Sequence, residues 1–413
     1  MYLIRLAIKN LTRHKKRTLL TAGIIALAVV FYIFLDSLML GMKNKALSNI
    51  IDFESGHIQV ANKNYWEQRD EFPLENLMDN EEEIIKKIEK SEEIKGISPQ
   101  LKFFARLNNG IDEIPVPVEG IIAENEKEVF AKGKYFIEGN YFSQDEYKAV
   151  LGKNLANLMD LKNGDYFTLL FKTKNETFNT IDLKISGLLE TPNPNINSNR
   201  IFIPLSVAQK VLNVDNKISQ YALRVDDKEV EEEIDFLNKE LKGEIAAFPW
   251  QDSASSMIKL SQAQEMESEI ILAIILIIAV LGIINSIVLA GIERVEEIGM
   301  MKALGMKERE IILTFVYEST GIGAIGAFIG ALFSFIGVGL FQKYGIDFFK
   351  LMGTEYDFSD FGMPIMGRVY GEWNPETFIF IIVFVILISG IVSIFPAMWA
   401  AKKEAAKAIH HKK

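Results

Sequence analysis

Four long apolar blocks constrain this chain more than any other feature. They cover about residues 19–40, 270–292, 315–341 and 378–399, and polar, charged sequence separates them. Each block reaches the roughly 20 residues that an α-helix needs to cross about 30 Å of hydrocarbon. The sequence therefore predicts an α-helical membrane protein with four transmembrane helices and a long polar segment between the first and the second.

The first block follows a basic stretch, as the core of a cleaved signal peptide would. Its apolar run is longer than the roughly 7–15 residues of a signal core, and no clear small-residue cleavage site follows it. We therefore expect an uncleaved membrane anchor. Asp36 lies near the outer end of the block, where the cost of burying a charge in the bilayer is smaller than at the centre.

Basic residues flank the first and fourth blocks. They are Arg5, Lys9, Arg13, Lys15, Lys16 and Arg17 before the first block, and Lys402, Lys403, Lys407, Lys412 and Lys413 after the fourth. By the positive-inside rule both termini are predicted to be cytoplasmic, at a bacterial inner membrane. The loop between the second and third blocks is then cytoplasmic as well. Because the chain carries −10 overall, the long outer segment must be strongly acidic, which argues against nucleic-acid binding.

The outer segment has the alternation of strands and helices that is typical of an α+β domain. Strands are predicted at 56–60, 101–107, 114–121, 165–171 and 221–225, which are rich in β-branched and aromatic residues. Helices are predicted at 80–90 and 226–244, and the Pro- and Asn-rich stretch 191–199 is predicted to be a loop. An α+β extracytoplasmic domain is thus inserted between helices 1 and 2.

These signals divide the chain into nine segments. We predict a cytoplasmic amphipathic N-terminal segment at 1–18, helix 1 at 19–42, the periplasmic α+β domain at 43–269, helix 2 at 270–292, a cytoplasmic loop at 293–311, helix 3 at 315–341, an outer loop at 342–377, helix 4 at 378–399 and a cytoplasmic tail at 400–413.

The sequence offers no catalytic, cofactor or metal set. There is no cysteine and no G-x-x-x-x-G-K-[ST] loop to cradle ATP phosphates. The lone His57 on a predicted strand is expected to be structural. A G-x-G-x-x-G string lies inside an apolar block without a preceding strand, so it does not predict a dinucleotide site. Gly326 and Gly330 instead form a G-x-x-x-G pattern that favours close helix packing.

Asp36 and Glu318 are ionisable residues within or near the spans. Such residues suggest a functional role, because charges are costly in the bilayer. The alternative is that each is paired at an interface or in the interior of the bundle, and the sequence leaves both interpretations open.

The cytoplasmic loop ERVEEIGMMKALGMKEREI, residues 293–311, is too polar to cross the membrane. Ile298, Met301, Leu304 and Gly305 follow helical spacing, which predicts a short amphipathic helix at the membrane surface. This helix is either a solvated interfacial helix or a coupling element that docks on a cytoplasmic partner.

The loop resembles that of the FtsX-like permeases, the membrane subunits of lipoprotein-releasing and macrolide-exporter-type ABC transporters. The family pattern is R-x-x-E-I-G followed by A-[IL]-G. The matching residues are Arg294, Glu297, Ile298, Gly299, Ala303, Leu304 and Gly305. At the end of the last block Pro396 and Ala397 also match, whereas the usual Asp-Pro of the tail is replaced by Glu404 and Ala405. Strings in the outer domain resemble the lipoprotein-releasing (LolC/LolE-type) branch.

The resemblance implies a transport permease that is not an enzyme and binds no cofactor, since ATP is bound by a partner subunit. The implied partners are a cytoplasmic ABC ATPase, a second permease subunit (identical or homologous), membrane lipids, a lipoprotein substrate and a periplasmic carrier. In this family ATP-driven closure moves the outer domains mechanically, and the matching loop residues couple to the ATPase.

Four functions remain open at this stage. The first is release of lipoproteins from the inner membrane, and the second is efflux with a periplasmic adaptor. The third is regulation of a cell-wall hydrolase, which an outer domain of this size disfavours. The fourth is a receptor without an ATPase, which the loop pattern disfavours.

Overall fold

A computed structural model describes residues 2–13, 15–226, 228–241, 243–292, 295–347 and 368–401. The chain divides into two compact units. Among the described residues, the first unit, here called the helical unit, comprises those within 2–43, 263–347 and 368–401. The second, the sheet unit, comprises those within Asn44–Gln262.

The α-helices of the described residues are numbered in chain order. They are α1 (Tyr2–Arg13), α2 (Lys15–Ile50), α3 (Lys63–Glu67), α4 (Glu82–Ile88), α5 (Ala123–Val129), α6 (Lys153–Leu158), α7 (Pro194–Asn199), α8 (Leu205–Leu212), α9 (Val230–Glu240), α10 (Trp250–Ser253), α11 (Ser255–Ile292), α12 (Val295–Ala303), α13 (Glu308–Tyr344) and α14 (Pro375–Ala401).

Four of these helices are long and apolar enough to cross a membrane. The candidate spans are Thr18–Ser55, Glu265–Leu289, Glu308–Tyr344 and Pro375–Trp399. The prediction of four transmembrane helices with an inserted α+β domain is therefore confirmed. Buried residues of α2, α11, α13 and α14, among them Ile25, Ile283, Ile322 and Ile381, form one apolar cluster.

The long helices extend beyond the apolar blocks. Helix α13 begins at Glu308 rather than near 315, and the Glu310 carboxylate accepts a hydrogen bond from the Lys307 backbone N–H at 2.9 Å. Helix α2 runs on to Ile50 and is followed by a π-helical turn, Ile51–Ser55. Hydropathy marks only the part of a helix that lies in hydrocarbon, whereas helical hydrogen bonding continues wherever caps and propensity allow.

The strands of the described residues form two sheets. They are β1 (Ile58–Asn62), β2 (Met78–Asp79), β3 (Gly96–Asn108), β4 (Glu113–Ile121), β5 (Phe136–Gly139), β6 (Lys148–Gly152), β7 (Tyr166–Lys172), β8 (Phe178–Leu189), β9 (Ile201–Pro204), β10 (Lys217–Ile218), β11 (Gln220–Arg224) and β12 (Ile245–Pro249). All five predicted strands are present, with boundaries shifted by a few residues.

The large sheet has the order β12-β1-β11-β3-β4-β9-β6-β8-β5. Strand β7 pairs with both β3 and β8, so the pairings β3-β4-β9-β6-β8-β7 return to β3. Two pairings, β4 with β9 and β6 with β8, are parallel and the others are antiparallel. A pairing circuit that closes on itself leaves few exposed edges.

The core of the sheet unit follows the alternation of the strands. Leu101, Phe103, Ala105 and Leu107 on β3 are buried, whereas Phe104 and Arg106 between them are exposed. The Phe103 ring meets Phe171 of β7 edge to face at 5.6 Å. Period-two burial of this kind fixes the register of the sheet, because a shift by one residue would expose the apolar face.

The predicted loop 191–199 is wrong in part. Residues Pro194–Asn199 form a helical turn that begins after Asn193, whose side-chain oxygen accepts a hydrogen bond from the Asn195 N–H at 2.9 Å. Asn is a favoured N-cap and Pro is preorganised for the first helical position. The Pro- and Asn-rich composition therefore marks the start of a short helix here rather than an open loop.

Candidate functional site

Helix α12 carries most of the loop pattern that the sequence singled out. Ile298 is 1% exposed and packs with Ile311 and Phe315 of α13 and with Ala397 and Ala401 of α14. One apolar cluster thus joins the short helix to the ends of two membrane helices. A displacement of α12 would act directly on these two helices, because packed interiors transmit strain.

Lys302 adds a polar attachment that the sequence analysis missed. Its ammonium group donates to the Glu308 carboxylate at 2.9 Å and to the carbonyl of Ala401 at 2.7 Å. The side chain therefore links α12 to the beginning of α13 and the end of α14. The available signal was a basic residue in the last turn of the helix, where cations complement the helix dipole and the free carbonyls.

The end of α12 is an exposed apolar tip. Leu304 is 87% exposed. Gly305 has φ of +87°, and the amides of Gly305 and Met306 bond to the carbonyls of Lys302 and Met301 at 3.0 and 3.1 Å. This is the Schellman arrangement, in which glycine takes the left-handed position after the helix. The turn therefore holds Leu304 in a defined, solvated position.

The remaining residues of the pattern lie on different sides of the helix. Gly299 is buried, Ala303 is exposed and Glu297 is half-buried. Arg294 lies outside the described residues. The exposed part of the pattern is therefore its second half, Ala303, Leu304 and Gly305, while the first half contributes to anchoring.

The glycines of the G-x-x-x-G pattern lie against α2. A methyl group on Gly326 would come within 2.7 Å of the Ile25 side chain and 2.8 Å of the Ala22 carbonyl oxygen. At Gly330 the corresponding neighbours are Val29 and the Ala26 carbonyl, at 2.7 and 2.8 Å. The structure thus places both glycines where the backbones of α2 and α13 approach closely, as small-residue packing requires.

Asp36 lies midway along the first candidate span, Thr18–Ser55. Its carboxylate forms side-chain hydrogen bonds with Thr377 and Asn374, at the beginning of α14. The neighbouring Ser37 carbonyl accepts a hydrogen bond from the Glu372 N–H at 3.2 Å. The paired-interface interpretation of Asp36 therefore agrees with its surroundings, in which polar groups partner the carboxylate.

Glu318 is buried in the helical unit, at 4% exposure. Its carboxylate accepts a hydrogen bond of 3.4 Å from the Asn10 side chain on α1. A methyl group on Gly321, one turn further along α13, would touch Leu11 of α1 at 2.9 Å. Glu318 thus helps to hold the basic amphipathic helix α1 against α13, the third candidate span.

The sheet unit contains buried charges that the sequence did not single out. Lys132 and Glu126 form an ion pair of 2.9 Å at 1% and 0% side-chain exposure. The other Glu126 oxygen accepts hydrogen bonds from Ser98 and Gln100 at 2.8 and 2.9 Å. Because both carboxylate oxygens accept hydrogen bonds, the free-energy cost of burying this ion pair is largely offset. No sequence signal marked these residues, because each stands in an ordinary strand or helix.

Glu119 lies near this pair, opposite Lys102 in the β3–β4 register. Burial alone would raise the pKa of Glu119, but Lys102, Lys132 and Arg200 outweigh this effect and hold the pKa below its usual value. Burial lowers the pKa of Lys102 despite the attraction of Glu119. The charges on this face of the sheet are therefore strongly coupled.

Among the described residues no group of three or more His, Asp or Glu side chains could hold a metal ion. His57 is buried in the sheet unit, and its backbone N–H donates to the Leu223 carbonyl at 2.9 Å.

Comparison with known families covers most of the chain. Residues 18–236 match the MacB-like periplasmic core domain, and residues 269–405 match the FtsX-like permease C-terminal family. The second match begins close to the start of the second predicted span, and residues 237–268 lie between the two matches.

Individual relatives are identical to this chain at about a quarter of the aligned residues. The macrolide export ATP-binding/permease protein MacB of Pasteurella multocida is 24% identical over 89% of this chain and 57% of its own length. The chain therefore spans little more than half of that relative. The lipoprotein-releasing system transmembrane protein LolE of Haemophilus influenzae is 24% identical over 78% of this chain and 79% of its own length.

Among solved structures, the periplasmic region of MacB from Actinobacillus actinomycetemcomitans aligns with 52% of this chain and 98% of that chain. The TM-score is 0.35 and the sequence identity is 15%.

Proposed function

This chain belongs to the FtsX-like permease family, and from that premise we propose that it is the membrane subunit of an ABC transporter that converts ATP hydrolysis by a separate ATPase into movement of its outer domain. The proposed location is the bacterial inner membrane, with both termini cytoplasmic, because basic residues flank the first and fourth blocks. The proposed assembly contains a second permease subunit.

The observation that carries this proposal is the construction of α12. Ile298 anchors the helix among residues of α13 and α14, and Leu304 presents an apolar side chain to solvent at the capped end. An exposed leucine in a fixed position is suited to a pocket on a partner, since burial there removes its apolar surface from water.

Release of lipoproteins is the substrate class that we propose. Similarity to LolE extends over about four fifths of both proteins, and LolC of Buchnera aphidicola is 25% identical over 80% of this chain and 78% of its own length. The macrolide export relative matches over a smaller share of its own length. The second candidate is efflux with a periplasmic adaptor, which the MacB-like match of residues 18–236 favours.

A substitution at the tip of α12 tests the coupling role. Leu304→Asp replaces an exposed apolar anchor with a charge, so we expect ATPase co-purifying with the tagged permease to fall at least about tenfold, the equivalent of roughly 1.4 kcal/mol. The measurement is the amount of ATPase recovered with the tagged permease, and ATP hydrolysis by the purified complex is the second readout. Leu304 is preferable to Gly305, because any other residue at φ +87° would also strain the turn.

The matched control is Ile111→Asp. Ile111 is 90% exposed at a turn of the sheet unit, so the variant makes the same chemical change far along the chain from α12 and should retain the ATPase. If Leu304→Asp retains normal ATPase binding and transport, α12 is an interfacial helix only and the coupling proposal is wrong.

Depletion of the protein separates the two substrate classes. Lipoprotein release predicts that lipoproteins destined for the outer membrane accumulate in the inner membrane, measured by membrane fractionation. Normal lipoprotein sorting together with increased sensitivity to exported drugs would contradict lipoprotein release and support efflux.

A further inference from the structure

A cavity of about 140 Å³ lies inside the sheet unit. It lies between β3, β11, the segment around α3 and the π-helical turn Ile51–Ser55, and it is partly open to solvent. Its polar lining includes Ser55, Tyr65, Arg69, Lys102, Arg200 and Gln220. Liquid water occupies about 30 Å³ per molecule, so the space suffices for several waters or for one small polar ligand.

The three cationic side chains of the lining have unused donor capacity. Arg69 donates from its two terminal nitrogens to the carbonyls of Trp66 and Asp252, but its buried Nε has no hydrogen-bond partner. Arg200 Nε is also buried without a hydrogen bond, and its nearest carboxylate oxygen, on Glu119, is 3.5 Å away. Within the described chain, Lys102 takes part in no ion pair of 4.0 Å or less.

The acidic neighbours only partly offset these cations. One oxygen of Glu54 already accepts hydrogen bonds from Asn193 and Asn195 at 2.6 and 3.2 Å. Its other oxygen is 4.0 Å from Arg200. The other carboxylate of the lining, Asp70, is exposed to solvent. Buried N–H groups without acceptors are costly. Arg69 and Arg200 each leave one such Nε–H, and one oxygen of the neighbouring Glu119 carboxylate is likewise buried without a partner.

The electrostatic surroundings of Lys102 also leave its charge incompletely offset. Burial lowers the pKa of its ammonium group even though Glu119 acts in the opposite direction. A fully compensated ammonium group would not experience this net effect.

We propose that the cavity binds a small phosphate-type oxyanion through Lys102, Arg200 and Arg69. Guanidinium and ammonium groups are the side chains that bind such oxygens best, the first by directed N–H bonds and the second as a point charge. The oxyanion is either free phosphate or the phosphate of a glycerol-phosphate headgroup, and the two share this chemistry.

The cavity is lined by the ends of two chain segments as well as by the sheet, so a bound ligand would contact all three. Ile50, Glu54 and Ser55, at the end of α2, line one part of it, and Ser253 and Ala254, just before α11, line another. A bound oxyanion would therefore join the sheet residues Lys102 and Arg200 to both segments. Its occupancy should stiffen the π-helical turn, because ligand contacts suppress local opening.

The experiment uses the full-length protein in nanodiscs made of zwitterionic lipid. Inorganic phosphate and, separately, glycerol 3-phosphate are titrated by calorimetry in a phosphate-free buffer of constant ionic strength. We expect saturable binding, with Lys102→Met and Arg200→Gln each weakening it at least about tenfold. The control Lys172→Met makes the same charge change at an exposed position on β7 and should leave binding unchanged.

A second readout is amide hydrogen exchange. Saturating ligand should slow exchange at Ile51–Ser55 in the wild type and not in Lys102→Met, which also shows that the effect requires the cavity. Lys102→Met leaves Glu119 with the positive charges of Lys132 and Arg200, so we expect the variant to fold, and the melting temperature checks this.

The two ligands identify the source of the oxyanion. Tighter binding of glycerol 3-phosphate supports a headgroup, and equal or tighter binding of inorganic phosphate supports the free ion. Absence of saturable binding by both, or binding that is the same in Lys102→Met as in the wild type, overturns the proposal.

Discussion

Glu119 is a buried carboxylate surrounded by three cations, and its charge is expected to contribute strongly to stability. It is 2% exposed, and its carboxylate compensates Lys102, Lys132 and Arg200. Glu119→Gln keeps the shape and removes the charge, so the cations lose their main counter-charge. Loss of one partner in a buried charged set typically costs about 3–5 kcal/mol. We expect a loss of this size in the free energy of unfolding of the sheet unit at pH 7, measured by denaturant titration followed by tryptophan fluorescence.

The same residue predicts a pH dependence. Because the folded-state pKa of Glu119 lies below its usual value near 4.5, its stabilisation is complete above about pH 4.5 and is lost as the pH falls through the folded-state pKa. The difference between wild type and Glu119→Gln should therefore shrink in acid. The control is Glu113→Gln on the same strand, whose partially exposed pair with Arg106 should contribute less than about 1 kcal/mol. A constant difference across the acid range would contradict this account.

The close packing of α2 against α13 depends on the shape of the two helices, in particular on the glycines of α13, rather than on single polar contacts. Gly326→Ala places a methyl group within 2.8 Å of the Ala22 carbonyl and the Ile25 side chain, so the helices must separate. Overpacking of this kind typically costs about 1–3 kcal/mol. We expect a lower melting temperature of the protein in detergent.

Gly337 on the same helix provides the control. A methyl group there meets no atom within 4 Å, and alanine is a better helix former than glycine. Gly337→Ala should therefore leave the melting temperature unchanged or raise it slightly. Equal effects of the two substitutions would show that the G-x-x-x-G pattern has no packing role.

For the whole molecule the main prediction is its orientation in the membrane. The chain contains no cysteine, so single cysteines report sidedness without background. Ile111→Cys, exposed in the sheet unit, should react with a membrane-impermeant maleimide in intact spheroplasts. Lys307→Cys, exposed between α12 and α13, should react only after permeabilisation. Labelling of Lys307→Cys in intact spheroplasts would reverse the proposed topology.

Local patterns in the sequence determined the spans and much of the sheet. The length of an apolar block reports directly whether a helix can cross hydrocarbon, and alternation along 101–107 and 165–171 reports a strand with one buried face. Neither inference needs a partner segment. The FtsX-like resemblance was likewise available from the spacing of residues in one loop, since Glu297, Gly299 and Gly305 occur there at fixed intervals.

Tertiary structure alone decided which polar residues meet. Asp36 and Thr377 are neighbours in the fold although more than three hundred residues separate them in the chain. Arg200 immediately precedes β9, and it lies close to Glu119 of β4 only because β4 pairs with β9. Likewise, Ile298 is an anchor and Leu304 an exposed tip because α13 and α14 cover one side of α12. Pairing register and helix packing are properties of the folded chain, and a local hydrophobic pattern specifies which face is buried but not what covers it.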